Sequence, residues 1–543
     1  MKIKAYKIHQ GSGKEILIKD SAGLERGGAD VPAILDFLLE PYPETLKTVW
    51  NLDDFTSPIL RLLNLDICRK IARTNEATFG VDGSELTYSL YYLPDKLLTI
   101  TKIPGDNLTR QRATIYGLNG FFDDNMTAPA SAEALEDLGN RLLAELGKIG
   151  VYPKKLTSPL GAFLSGYKLP YIPTMGDTPE KYGEAQIFAD NCTGREWREA
   201  FQIGYWASDE CFMYDLSSAY PSEAARLPDL RYAEYFYSKT MIDTAYWGFL
   251  RGRVTLNGNV RCSPIMTRLP DGRMVNPVGC WNTFLTLDEV RFIYIYGIGS
   301  FQLIDGWFIE FTHGDSPLAG LMEMLYRQRT LSDPIINNFL KRVASGLVGK
   351  FREHHDTGPG DLFNPIYHAA ITANVRLKVA SLIYENNAQD HIIRINTDGV
   401  ISNRALWIAQ GKGLGRWRQI ESQAVITMSP ELVLTGDKHP RGLHYAKLRA
   451  MICKNPKSRL YETKLDRRVT LPEAVRDNNL EQLGKITKRS SHIDLTLLSQ
   501  SQSRYFPGFP RSGQALIDGK FSSSPIKLGG SLLTIRANKG ENI

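Results

Sequence analysis

Apolar and polar positions change period several times along the chain. Glu15–Ile18, Thr87–Tyr92 and Leu97–Ile100 are short β-rich runs, whereas Val31–Leu39 and Ser131–Ile149 carry apolar residues at helical spacing. That mixture predicts an α/β domain over the first 150 or so residues. A Pro/Gly-punctuated stretch from Tyr152 to about Pro179 predicts a linker. Residues from about 185 to 450 mix short strands with helices. From about 455 the chain is basic, then rich in Ser, Gly and Pro over Ser499–Gly513 and Ser522–Gly530. Loosely packed ends are expected there. There is no internal repeat.

With 543 residues the chain is too long for one ordinary core, and 43% hydrophobic with 23% charged residues is a globular composition. No apolar run approaches the roughly 18 residues of a membrane span. The opening MKIKAYKIHQ lacks an apolar core and a cleavage site, so secretion is not expected. Six scattered cysteines without a C-x-x-C pair argue against a zinc site or a disulfide framework. Charge adds one feature. Residues 441–543 hold 19 Lys+Arg against 8 Asp+Glu, whereas the first 440 hold 46 against 51. A basic end on an acidic body suits a polyanion lying along one region, with carboxylates elsewhere holding cations. A solvated lysine-rich surface would give the same numbers.

Three segments carry candidate chemistry. In Cys211-Phe212-Met213-Tyr214-Asp215-Leu216-Ser217-Ser218-Ala219-Tyr220-Pro221, an apolar strand ends at Asp215 and turns into a helix. A carboxylate at the mouth of a buried strand is held rigidly enough to meet a ligand, although an Asp there also serves as a helix cap. In His391-Ile392-Ile393-Arg394-Ile395-Asn396-Thr397-Asp398-Gly399-Val400-Ile401-Ser402, two β-rich runs flank an Asp-Gly hairpin signal. Asp398 then sits at or beside the turn, where Asp is also a common turn residue. Asp333-Pro334 predicts a helix start, after which Lys341 and Ser345 share a face that Val348 and Gly349 continue.

Taken in order, these segments resemble the family B DNA polymerases, most nearly their protein-primed, organellar-and-viral branch. The first motif stands as Asp215, Ser218, Tyr220 and Pro221; the second as Lys341, Ser345, Gly346, Val348 and Gly349, then Lys350-Phe351; the third as Asn396-Thr397-Asp398. The resemblance covers about residues 190–450. It implies an α+β multidomain right-hand polymerase with palm, fingers and thumb, behind an N-terminal RNase-H-like exonuclease-type domain. The expected division is 1–170 for that domain, 171–454 for palm and fingers, and 455–543 for a basic thumb and tail.

The resemblance also implies chemistry. Asp215 and Asp398 would bind two Mg²⁺ ions (Mn²⁺ being an alternative), with the Leu216 carbonyl as a further ligand, because phosphoryl transfer from a dNTP uses two cations about 4 Å apart. Ser218, Lys341, Ser345 and either Arg327 or Arg329 would meet the nucleotide, and Tyr220 would exclude a 2′-hydroxyl. Gly194-Arg195 stands where the family has a Tyr-x-Gly-Gly linker, and Tyr445-Ala446-Lys447 where it grips the primer. The implied partners are template and primer DNA and dNTPs, with a priming terminal protein as a further one and no membrane. The implied setting is the cytoplasm of a cell hosting a virus, phage or plasmid, or the mitochondrion.

The sequence departs from the pattern at Asn396, Ser345-Gly346 and Val348, which replace Asp, Asn-Ser and Tyr. Only 20 residues link Phe351 to Ile371, where the branch commonly carries a longer insertion. In the N-terminal domain, Asn51 to Phe55 echoes an exonuclease motif through Asp54, and Tyr116 to Asp123 another. No Asp-x-Glu strand precedes them, so proofreading is not expected. Two rivals use the same residues. One is a catalytically inactive polymerase-like DNA-binding protein, favoured by the altered motifs. The other is a two-metal nuclease, which would leave Lys341 and Tyr220 without a task.

Overall fold

A computed structural model describes residues 2–10, 15–42, 44–81, 84–105, 109–122, 126–194, 196–331, 333–355, 358–409, 411–435, 445–500 and 503–529. Asp123 and Arg195 lie outside them. The chain is a mixed α/β protein of two compact units: Met1–Leu169 with Arg327–Val343 and Leu465–Arg489, and Pro170–Tyr326 with Ala344–Lys464 and Ser490–Ile543. No helix among the described residues is long and apolar enough to cross a membrane.

The first unit is built on an eight-stranded sheet. Its central strand Lys2–Gln10 pairs antiparallel with Ile16–Asp20, which pairs antiparallel with Glu25–Gly28. On its other side it runs parallel to Thr45–Val49, which is parallel to Gln111–Gly117. Leu97–Ile103, Thr87–Leu93 and Glu76–Gly80 then extend the sheet as an antiparallel meander. The β-rich runs read in the sequence fall in Ile16–Asp20, which leaves out Glu15, in Thr87–Leu93 and in Leu97–Ile103, and the two helical runs become Val31–Leu39 and Ala132–Lys148. Local chemistry sets the helix starts. Asn51 accepts from the Asp54 amide and Ser131 from the Ala134 amide, each meeting one of the donors a first turn leaves over. Leu35, Leu38, Leu52, Ile59 and Ile100 form the centre of the apolar core.

The stretch expected as a linker contains a helix, Pro159–Gly166. Ser158 caps it, Pro159 begins it, and Ala162 and Phe163 are buried. The break between the units comes only at Leu169/Pro170. Pro and Gly punctuate this stretch because they start and stop a short helix.

The second unit holds two five-stranded sheets and one of four. One five-stranded sheet runs Trp417–Ile420, Phe212–Leu216, Gly399–Ser402, Ile392–Asn396, Arg198–Ala200. The other runs Ala233–Ser238, Gly299–Phe311, Trp247–Leu256, Val278–Thr286, Lys527–Gly529. The helix Pro365–Glu385 is buried through most of its length, and its Val379, Ala380 and Ile383 share one core with Trp197, Trp281 and Ile395.

The segment expected as a thumb and loose tail is not one body. Leu465–Arg489 clusters with the first unit, and the chain from Ser490 onward with the second. There Lys520–Ser522 pairs with Gln202–Trp206, and Lys527–Gly529 runs parallel to Val278–Thr286. Arg504, 1% exposed, forms an ion pair at 3.4 Å with Glu199, 2% exposed. The Arg504 Nε donates to Ser523 and its Nη2 to the Arg261 carbonyl. A Ser/Gly/Pro-rich composition hides this packing because backbone pairing and one arginine supply it, not apolar periodicity.

Burial pushes the Glu199 carboxyl upward, while Arg504 pulls it back. Removing one partner of such a pair strands a charge in the interior. Arg504→Ala should lower the unfolding free energy by about 3–5 kcal/mol, and Glu199→Gln with Arg504→Met by clearly less. Urea titration of the three variants checks the order.

Candidate functional site

Asp215 stands on the strand Phe212–Leu216, and Asp398, 183 positions on, in the turn that leads into the strand Gly399–Ser402. Phe212–Leu216 and Gly399–Ser402 pair antiparallel with Asp215 opposite Gly399, the residue after Asp398. The Leu216 amide donates to the Asp398 carbonyl at 3.0 Å, so the backbone of the third proposed ligand joins the other two. Neighbouring strands lie about 4.8 Å apart, and the Asp215 carboxylate is met there by the Arg418 guanidinium.

Two left-handed residues bracket the pair. Thr397 opens the turn between Ile392–Asn396 and Gly399–Ser402 with φ of 64°, and Ser218 follows Asp215 with φ of 50°. A β-branched residue in that region is rare and costs of order 1–3 kcal/mol. The Thr397 amide donates to the Trp197 carbonyl at 2.7 Å, and Asn396 registers against Arg198, so a third strand holds the turn. The turn therefore falls at Thr397-Asp398, one position before the Asp-Gly pair that signals it in the sequence. Asp215 does not cap the next helix, Ala219–Ala224, whose N-cap position is Ser218.

A cavity of about 640 Å³ lies on the Tyr220 side of this segment; Asp215, Leu216, Ser218 and Asp398 themselves do not line it. Gly194, Tyr220, Ser345, Val348 and Gly349 line it, bringing three separate motif segments to one space. Burial raises the Tyr220 phenol well above its usual range, and the charges of Glu196 and Asp398 raise it further. The ring is thus neutral and within electrostatic reach of Asp398. Arg352, one turn past Val348, also lines the cavity and was not singled out in the sequence.

Other expected residues stand elsewhere. Lys341 is exposed on the helix Pro334–Lys350, one turn before Ser345, and does not line the cavity. Arg327 is exposed and Arg329 half-buried on the preceding helix Ala319–Leu331, where the Arg329 Nε approaches the Asn337 Oδ1 at 3.5 Å. Tyr445 begins the helix Tyr445–Lys454 and stacks on Tyr205 at 6.0 Å, with Lys447 exposed two residues later. Neither lines the cavity.

Gly194 has a packing task that sequence reasoning missed. A Cβ there would lie 2.4 Å from the Nη1 of Arg376. Arg376 is 2% exposed and ion-paired at 2.7 Å with Glu289, itself 2% exposed. The available signal was a lone arginine inside the otherwise largely apolar helix Pro365–Glu385.

In the first unit, Asp54 pairs with Arg468, and Asp53 accepts from the Tyr92 hydroxyl and the Asp95 amide. Burial raises the Asp54 carboxyl, Arg468 lowers it and Asp53 raises it. Among the described residues no group of three or more His, Cys, Asp or Glu is placed to hold a metal ion. For Asp215 and Asp398 that still fits Mg²⁺, which takes one or two carboxylates and completes its shell with water and phosphate oxygens.

Neither a family model nor a curated protein sequence matches the chain. The likeness lies among solved structures, and they are DNA polymerases. Phi29 DNA polymerase complexed with primer-template DNA matches with a TM-score of 0.58 at 12% identity, over 91% of this chain and 100% of that one. Its complex with primer-template DNA and incoming nucleotide matches with 0.58 at 13%, with the same coverage. The complex with single-stranded DNA matches with 0.51 at 13%, over 80% and 87%. The chain has a DNA-polymerase fold.

A methyl at Gly194 must displace a buried, ion-paired guanidinium. Gly194→Ala should therefore lower the unfolding free energy by about 1–3 kcal/mol, the usual range for overpacking. Chemical denaturation checks this, and an unchanged midpoint would contradict the packing role.

Proposed function

We propose that the chain is a DNA-directed DNA polymerase of the family B type, transferring nucleotides from dNTPs to a primer 3′-hydroxyl. One observation carries the reading: the strand pairing that seats Asp215 beside the Asp398 turn, with Tyr220, which feels the Asp398 charge, lining a cavity together with Ser345, Val348 and Gly349. Two of the matched solved structures hold primer-template DNA, one of them with incoming nucleotide, which supports the same substrates here.

Asp215, Asp398 and the Leu216 carbonyl would hold two Mg²⁺ ions, which supply activation of the primer hydroxyl and neutralisation of the leaving pyrophosphate. The chain's own residues do the rest. Tyr220, kept neutral by burial, presents an uncharged ring to the sugar and leaves no room for a 2′-hydroxyl. Ser218 and Ser345 offer hydroxyls to the nucleotide. On the resemblance alone, Lys341 with Arg327 or Arg329 would meet the triphosphate. Arg195, Tyr445 and Lys447 belong to the DNA path, and the basic segment after 440 supports polyanion binding.

The first unit reads as an RNase-H-like, exonuclease-type domain. Its three antiparallel strands followed by two parallel ones support that reading. Its acidic residues are already engaged, Asp54 by Arg468 and Asp53 by Tyr92 and the Asp95 amide, which supports a retired site. A priming terminal protein is a proposed partner on resemblance alone. The inactive DNA-binding alternative keeps one specific support, Val348 and Ser345 in the cavity at positions where the family has Tyr and Asn.

Purified protein with Mg²⁺ and dNTPs should extend a recessed primer. Asp215→Asn or Asp398→Asn should reduce extension at least about a thousandfold, on the scale of losing a preorganised electrostatic element of a reaction, with DNA affinity nearly unchanged. Extension by either variant would end the two-metal assignment; no extension by the unmodified protein would favour the inactive alternative. A mismatched 3′ end should survive incubation with Mg²⁺ alone. Its excision by the unmodified chain, lost in Asp54→Ala, would show a working exonuclease.

A further inference from the structure

The strand Trp417–Ile420 forms the edge of the sheet that carries Asp215, and Arg418 is the register partner of Asp215. Both the Nε and the Nη2 of Arg418 donate to one carboxylate oxygen, Oδ2, at 2.9 and 2.6 Å. The backbone fixes this encounter. The Gly415 amide donates to the Ser217 carbonyl at 2.7 Å, and the Ser217 amide to the Arg416 carbonyl at 3.0 Å. Gly415 reaches the sheet with φ of 71°, and a Cβ there would lie 2.7 Å from the Cβ of Ser222. The chain can therefore enter this edge closely only through a glycine. Arg418 is delivered to Asp215 by two backbone bonds and a register.

A carboxylate on a strand that meets a cation is held in its charged form, and here that cation is Arg418. A guanidinium is a permanent cation and cannot release Asp215 by losing a proton. It can release it only by moving away. Arg418 is free to do so on one account: its side chain is 62% exposed, against 29% for Asp215. An exposed pair of this kind is weak and screened by salt. The contact is therefore strong enough to hold Asp215 and weak enough to yield to a doubly charged ion.

We propose that Arg418 is the resident cation of the metal-free site, balancing Asp215 until divalent ions arrive and competing with them for its Oδ2 oxygen. The inference deepens the polymerase reading and rests on it for the identity of those ions. Arg418 is a positioning residue: it sets how much divalent cation the site requires, and the carboxylates keep their own task. Its partner class is a hard divalent cation with oxygen ligands, displaced by and displacing a guanidinium.

The test uses the full chain without DNA or nucleotide, titrated with Mn²⁺ and read by the electron paramagnetic resonance signal of the free ion. Arg418→Ala should bind Mn²⁺ about two- to fivefold more tightly than the unmodified protein, the range that an exposed ion pair corresponds to. Arg418→Lys should fall between them, and Asp215→Asn should lose the site. A second readout needs no bound metal at the outset. In EDTA, Arg418→Ala should melt below the unmodified protein, because Asp215 then loses the ion pair with Arg418, and it should gain more on adding Mn²⁺. Equal or weaker Mn²⁺ binding by Arg418→Ala overturns the inference and leaves the polymerase reading standing. Mn²⁺ affinity that is absent throughout, or unaffected by Asp215→Asn, overturns both.

Discussion

Antiparallel pairing between Phe212–Leu216 and Gly399–Ser402 is the constraint on which the candidate site depends. Two acidic residues separated by 183 positions meet only if those strands are neighbours in the correct register. A slip of one residue would turn Asp215 towards the opposite face of the sheet. The apolar residues flanking each Asp prevent that slip, because Tyr214, Ile395 and Val400 are buried in one core with the helix Pro365–Glu385. Hydrophobic burial thus fixes a register whose chemical result is electrostatic. The left-handed Thr397 and Ser218 are consistent with this arrangement. Backbone in such a conformation persists only where surrounding structure imposes it, and here pairing on both sides does so.

Charge is handled differently at the surface and in the interior of the second unit. Arg376–Glu289 and Arg504–Glu199 are both almost fully buried, and each locks segments far apart in sequence. Burying such pairs gives little net stability but makes the loss of one member severe. In Arg418–Asp215 the arginine is exposed and the carboxylate half-buried. The fold holds its fixed charges in closed pairs and leaves the carboxylate at the candidate site with a partner that can move.

Much of this was legible in the sequence because it rests on local signals. The apolar run ending at Asp215, the hairpin around Asp398 and the Asp333-Pro334 helix start each depend on neighbouring residues. What stayed hidden depends on pairing at a distance. Nothing near Arg418 announces that its strand lies against Asp215. Nothing in a Ser/Gly-rich stretch announces that Lys520–Ser522 returns to Gln202–Trp206. Pro and Gly around residues 152–179 looked like a linker because the same residues open and close a short helix. Asp54 echoed a motif, but only the structure shows Arg468 against it.

The central claim is that Asp215 and Asp398 serve one shared pair of ions. Anomalous diffraction from crystals grown with primer-template DNA, a non-hydrolysable dNTP and Mn²⁺ addresses it most directly. The account predicts two Mn²⁺ peaks about 4 Å apart, between these carboxylates and the triphosphate. Peaks located elsewhere, or bound to only one of the two residues, would contradict it.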